Sequence, residues 1–132
     1  MAILGGEFMI HEKKRVLVID DNVDTLELLK TTLQGKAFEC ETAVSAMEGL
    51  EKAITFKPNL ILLDLMLPKM SGFGFLRELK NHSDVGQVPI VVLTALGDEE
   101  IASEVMELGA VGYLRKACGT QELLTMVEEY TT

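Results

Sequence analysis

Tryptophan is absent from the 132 residues, and the aromatics amount to five Phe and two Tyr. The core must therefore be aliphatic, and a base-stacking platform for single-stranded nucleic acid has no residues to be built from. Cysteine is nearly absent too: Cys40 and Cys118 are too few for a disulfide framework and suit a reducing compartment, so the expected location is the cytoplasm. No apolar run approaches the roughly 20 residues that span a bilayer. The first residues, Met1 to Phe8, are neither basic nor long enough for a signal peptide. They read as an appended leader, residues 1–8, ahead of a domain over 9–132 that starts at Met9. Positive charge is the remaining deficit. Twelve Lys and Arg face 21 Asp and Glu, for a net charge of −9. Binding a polyanion needs clustered cations, so neither direct nucleic-acid binding nor an anionic membrane surface is expected.

What is present is the ordinary mix of one globular domain, with 48% hydrophobic and 25% charged residues. Short β-branched or aliphatic runs alternate with helical periodicity. Val16-Leu17-Val18-Ile19, Leu60-Ile61-Leu62-Leu63 and Ile90-Val91-Val92-Leu93 are too short for buried helices and read as strands covered on both faces. Phe38-Glu39-Cys40-Glu41-Thr42 alternates with period two, as an edge strand does. Val111-Gly112-Tyr113-Leu114 is the fifth strand.

Between them, helical spacing predicts inward faces in each of five helices. These are Val23, Leu26, Leu29 and Leu33; Ala46, Leu50, Ala53 and Ile54; Phe75, Leu76 and Leu79; Ile101, Val105 and Leu108; and Leu123, Leu124 and Val127. Ser45, Asp98 and Thr120 are expected caps, and Gly35 and Gly109 expected stops. Pro68-Lys69-Met70-Ser71-Gly72 reads as a loop. Five strands alternating with five helices predict an α/β fold: a doubly wound, flavodoxin-like parallel sheet in the order 2-1-3-4-5.

In such a sheet the ligand crevice lies at the carboxyl ends of the strands. Asp20 and Asp21 follow the first strand, Asp64 the third, Thr94 ends the fourth, and Lys116 follows the fifth. One acid after a strand is ordinarily a loop starter or helix cap. Five such residues on four spatially consecutive strands are not explained that way. Three close carboxylates repel, so a positive partner is required. A hard divalent cation fits, Mg²⁺ above all, because it takes one or two carboxylates and keeps room for phosphate oxygens. With Lys116 as counter-charge and Thr94 as hydroxyl donor, the set suits phosphoryl transfer to a carboxylate.

At these residues the sequence resembles the receiver domain of two-component response regulators. The motifs are Val16-Leu17-Val18-Ile19-Asp20-Asp21-Asn22, Leu62-Leu63-Asp64-Leu65-Met66-Leu67-Pro68-Lys69-Met70-Ser71-Gly72, Leu93-Thr94-Ala95, and Gly109-Ala110-Val111-Gly112-Tyr113-Leu114-Arg115-Lys116. The resemblance covers roughly residues 14–130. It implies that Asp64 is the phosphoacceptor. Asp20, Asp21, Asp64 and the backbone carbonyl of Met66 would hold Mg²⁺, and Thr94 and Lys116 would bind phosphoryl oxygens. Thr94 and Tyr113 would be a switch pair. The implied partners are a sensor histidine kinase or histidine phosphotransfer protein upstream, and an output domain or target protein downstream. The surface of the fourth helix, fifth strand and fifth helix would report the switch, and could also form a homodimer. The family's usual Lys-Pro is here Lys116-Ala117. A non-proline cis bond costs about 3 kcal/mol, so a trans peptide and an altered loop are expected.

Three other functions compete. An aspartate-nucleophile phosphatase of the haloacid dehalogenase type needs an acid two residues after the nucleophile, where this chain has Met66. A flavodoxin-like electron carrier wants a hydroxyl-rich first loop, where Asp20-Asp21-Asn22-Val23-Asp24 would repel a flavin phosphate. A receiver-like scaffold that is never phosphorylated stays open through Ala117. His82 reads as an exposed helix-end residue, His11 as part of the leader region and Cys40 as a core thiol. The scattered methionines at 47, 66, 70, 106 and 126 read as gap-fillers or loop packing.

Overall fold

A computed structural model describes residues 12–95 and 97–132. The leader, Met9 and His11 lie outside them. Strands β1 (Arg15–Ile19), β2 (Glu39–Ala43), β3 (Leu60–Leu63), β4 (Ile90–Thr94) and β5 (Gly112–Arg115) form one parallel sheet in the order β2-β1-β3-β4-β5. Helices α1 (Val23–Gln34), α2 (Ala46–Thr55), α3 (Gly72–Asn81), α4 (Glu99–Glu107) and α5 (Thr120–Thr131) alternate with the strands. The stretch expected to be a plain loop contains a small ribbon, in which Met66–Leu67 pairs antiparallel with Met70–Ser71.

The aliphatic runs are continuous because both faces of the sheet are buried, and successive side chains serve opposite faces. Leu17, Ile19, Ile61, Leu63, Ile90 and Val92 pack with α2, α3 and α4. Val16, Val18, Leu60, Leu62, Val91 and Leu93 pack with α1 and α5. Phe75 is the largest fully buried side chain, and the others are almost all Leu, Ile or Val. Each such burial contributes about 1.5–3 kcal/mol relative to exposure.

Helix starts follow local chemistry. Asn22, Ser45 and Asp98 accept hydrogen bonds from the amides of Thr25, Glu48 and Ile101 and so cap α1, α2 and α4. Gly109 takes φ 112° just past α4, a conformation a glycine adopts without strain.

Several local expectations need correction. Gly35 is the C-cap of α1, as expected of a stop, but it stays right-handed, and the left-handed residue is Ala37, at φ 70°. Gly119 is the cap residue of α5, and Thr120 is already its first helical residue. Val23 sits on the outward side of α1, 57% exposed, because the core face of that helix is completed by Leu26, Leu29 and Leu33. Met126 packs against the core and Met66 and Met70 lie in the ribbon, in keeping with gap-filling or loop packing, but Met47 on α2 and Met106 on α4 are exposed. His82 is half-buried, and its ring nitrogen accepts from the amide of Asp84.

Candidate phosphoacceptor site

Parallel register assembles the site. Ile19 pairs with Leu63, so the next residues, Asp20 and Asp64, leave adjacent strands side by side. The amide of Asp64 donates to the Ile19 carbonyl at 2.9 Å, and that of Asp20 to Ala43 at 3.0 Å. Both carboxylates are therefore anchored by backbone that continues the sheet. At the other end, Thr94 pairs with Arg115, and the Lys116 amide donates to the Thr94 carbonyl at 2.9 Å.

Each buried carboxylate divides its oxygens in the same way. Asp20 Oδ1 accepts from the Asn22 amide at 2.9 Å, and Asp64 Oδ1 accepts from the Met66 amide at 3.2 Å. The second oxygens converge on one ammonium: Lys116 Nζ lies 2.7 Å from Asp20 Oδ2 and 3.0 Å from Asp64 Oδ2. Asp20 and Asp64 are nearly inaccessible to solvent, Asp21 is exposed, and Thr94 is completely buried.

These charges shape one another. Burial raises the Asp20 pKa above the usual carboxylate range, although the hydrogen bond from Lys116 works against it. Burial also disfavours the Lys116 ammonium, but hydrogen bonds to Asp20 and Asp64 outweigh that cost and lift its pKa. Oxygens of Asp20, Asp21 and Asp64 lie within 4.8 Å of one another, an arrangement able to hold a metal ion. The donors are all hard oxygens, the type that Mg²⁺ and Ca²⁺ select.

Gly72 explains the glycine of the central motif. A Cβ there would overlap the backbone of Leu65, the residue after Asp64. The Gly72 amide donates to the Leu65 carbonyl at 3.1 Å. The start of α3 is thus pressed against the segment that carries the acceptor, and only a residue without a side chain allows it.

The family model for the response regulator receiver domain matches residues 16–128. The chain belongs to this family. Among curated relatives, the receiver domain is 40% identical over 111 residues to a probable transcriptional regulator, ycf27, of Cyanophora paradoxa, covering 84% of this chain and 45% of that protein. It is 33% identical over 115 residues to the phosphate regulon transcriptional regulatory protein PhoB of Pseudomonas aeruginosa, covering 87% and 50%. The chain spans about half the length of these relatives. Among solved structures, the chemotaxis protein CheY4 of Vibrio cholerae aligns with a TM-score of 0.83 at 30% identity, over 89% of this chain and 98% of that one. The beryllofluoride-activated receiver domain of Klebsiella pneumoniae RstA aligns with a TM-score of 0.82 at 26% identity, over 89% and 98%.

Within the receiver domain, Asp20, Asp21, Asp64 and Lys116 come together as expected from strand-end positions. Thr94 ends the neighbouring strand. Tyr113 is half-buried on β5, opposite Val92, and packs against the core on the side of α2, α3 and α4. The described residues contain no cis peptide bond, in line with Ala117, and Lys116 nonetheless reaches both acids. Cys40 is a buried free thiol and Cys118 a half-buried one, on opposite edges of the fold. Asn22 was not singled out as a site residue, yet it links Asp20 to the cap of α1. Its signal in the sequence is an Asn directly ahead of a helical period.

Proposed function

We propose that this receiver domain is a phosphorylation switch in which Asp64 accepts a phosphoryl group from a phosphohistidine. The observation that carries this reading is the convergence of the Lys116 ammonium on Asp64 and Asp20, with Thr94 buried at the adjacent strand end.

In the transfer, an Asp64 carboxylate oxygen attacks phosphorus. A P–O bond forms, the P–N bond to the donor imidazole breaks, and the imidazole leaves with the electron pair. Lys116 neutralises negative charge on the phosphoryl oxygens, and the Thr94 hydroxyl donates to one of them. Asp20, Asp21, Asp64 and the Met66 carbonyl would hold Mg²⁺, which when bound offsets the charge of the incoming phosphoryl group. Water attack on phosphorus reverses the modification and regenerates the carboxylate, so the domain contributes to its own phosphorylation and dephosphorylation. Movement of the Thr94 hydroxyl toward phosphate, with the Tyr113 ring turning inward, biases a two-state surface of α4, β5 and α5. The partners are a sensor histidine kinase or histidine phosphotransfer protein and an output domain or target, with self-association through the same surface. The compartment is the cytoplasm, in keeping with two free thiols and with no described helix long and apolar enough to cross a membrane.

The test is incubation with acetyl phosphate and Mg²⁺ followed by intact-mass measurement. One phosphoryl group is expected on wild type and none on Asp64→Asn. Equal labelling of the two, or no labelling of wild type by acetyl phosphate or by a phosphohistidine donor, overturns the reading.

A further inference from the structure

Met47 is the most exposed of the large apolar side chains described, at 84%, and no role above uses it. It stands in the first turn of α2 beside Met70 of the ribbon. With Ala46, these two methionines line a continuous groove between α2, the ribbon and α3. Pro68 and Lys69, at the ribbon turn, form one end of the groove, and Leu50 and Glu78 form the other. A cation thus marks one end and a carboxylate the other, with apolar surface between them. Lys69 and Glu78 are both exposed, and neither is in an ion pair with another described residue. Lys69 takes φ 68° in the Pro68-Lys69 turn, where glycine or asparagine fits with less strain. The turn itself gains nothing from a lysine, and what the position supplies is an ammonium at the end of the groove. The platform is fixed from behind, because the Gly72 amide holds the ribbon's exit to the Leu65 carbonyl.

We propose that this groove is a self-association surface whose occupant is a second copy of the chain, related by a two-fold axis through the methionines. Charge complementarity selects this occupant. A two-fold axis reverses the direction of the groove, so Lys69 of each copy meets Glu78 of the other, while Met47 and Met70 pack on their own counterparts. A groove with a single sign of charge would set like against like under the same operation. Methionine is unbranched and adaptable, which suits a contact that forms and parts without a fixed jigsaw fit. Two copies of net charge −9 repel at long range, so the contact has to be small, locally matched and reversible. It shares no residue with the surface of α4, β5 and α5, and it does not depend on modification of Asp64.

Sedimentation equilibrium of the full chain, from about 10 µM to about 1 mM, covers the affinities of a small reversible interface. Wild type is expected to rise from the mass of one copy toward that of two. Lys69→Glu sets two carboxylates against each other at both ends of the contact, and Glu78→Lys sets two ammoniums there. Each is expected to weaken association at least about tenfold. An equimolar mixture of these two variants should associate as wild type does, because every end contact then joins an ammonium to a carboxylate. Recovery on mixing also shows that both variants are folded. Met47→Glu brings two carboxylates together near the axis and should abolish association, with urea unfolding to show that its fold is intact. Wild type that stays a monomer throughout leaves the groove to a different protein and overturns the proposal. Association that either charge reversal leaves unchanged, or a mixture no more associated than its components, overturns it as well. No phosphodonor enters these measurements, so failure of the phosphorylation switch and failure of this contact are read separately.

Discussion

Replacing Lys116 by Met removes the one ammonium that faces both buried acids while keeping much of its aliphatic stem. The Asp20 and Asp64 oxygens then face each other, and Asp21, within 4.8 Å and without their counter-charge. At an effective dielectric near 20, two like charges at that separation repel by about 3 kcal/mol. The lost contacts are short, 2.7 and 3.0 Å, but Lys116 keeps about a quarter of its side chain in water. The expected destabilisation is therefore toward the lower end of what breaking a buried ion pair costs, about 2–4 kcal/mol, or a Tm lower by about 6–15 °C. The assay is urea unfolding at neutral pH, in EDTA and in millimolar MgCl₂. In EDTA, Lys116→Met should be markedly less stable than wild type. Adding Asp64→Asn to it should recover stability, because the repelling partner is gone. Mg²⁺ should stabilise Lys116→Met more than wild type, since no ammonium competes for the acids. If Lys116→Met in EDTA matches wild type within about 0.5 kcal/mol, the surface-like value of an ion pair, the electrostatic account of this site is wrong.

Three further outcomes are expected. Gly72→Ala should cost at least about 3 kcal/mol or prevent folding, read by the same urea titration, because its methyl would overlap the Leu65 backbone. Burial pushes the Cys40 thiol up to about 11 from 9.0. In that pH window the unfolded thiol loses its proton while the folded one keeps it, so stability should fall by about 2–3 kcal/mol as pH rises, and Cys40→Ala should flatten this part of the profile. Gly119→Ser has open space around its new side chain and supplies the oxygen that the α5 cap lacks, so a gain of a few tenths of a kcal/mol is expected by thermal unfolding.

The sheet and its order were readable because burial on both faces leaves a plain mark, the unbroken aliphatic runs at 16–19, 60–63 and 90–93, whereas alternation at 38–42 marks an edge. The acid, hydroxyl and ammonium positions followed once the strands were placed, since the strand-end geometry of a parallel sheet does the rest. What could not be read was anything decided by one residue's backbone or by a long side chain's destination. Ala37 takes the left-handed conformation although Gly35 is the better-suited residue nearby, because the Gly35 amide already closes α1 on the Thr31 carbonyl. Thr120 looks like a cap, but the helix begins one residue earlier than its hydroxyl could serve. The span of Lys116 to two acids depends on rotamers that spacing does not encode.

The two rims of the sheet carry a further consequence. An outermost strand offers a row of unpaired amides and carbonyls on which a second chain can grow. Here one rim presents Glu39 and Glu41, and the other ends in Arg115 and Lys116. Two copies meeting at β2 would set glutamate against glutamate, so growth by strand addition is penalised at that rim. Like charge at that rim thereby acts against an irreversible contact, while the opposite rim carries the opposite sign.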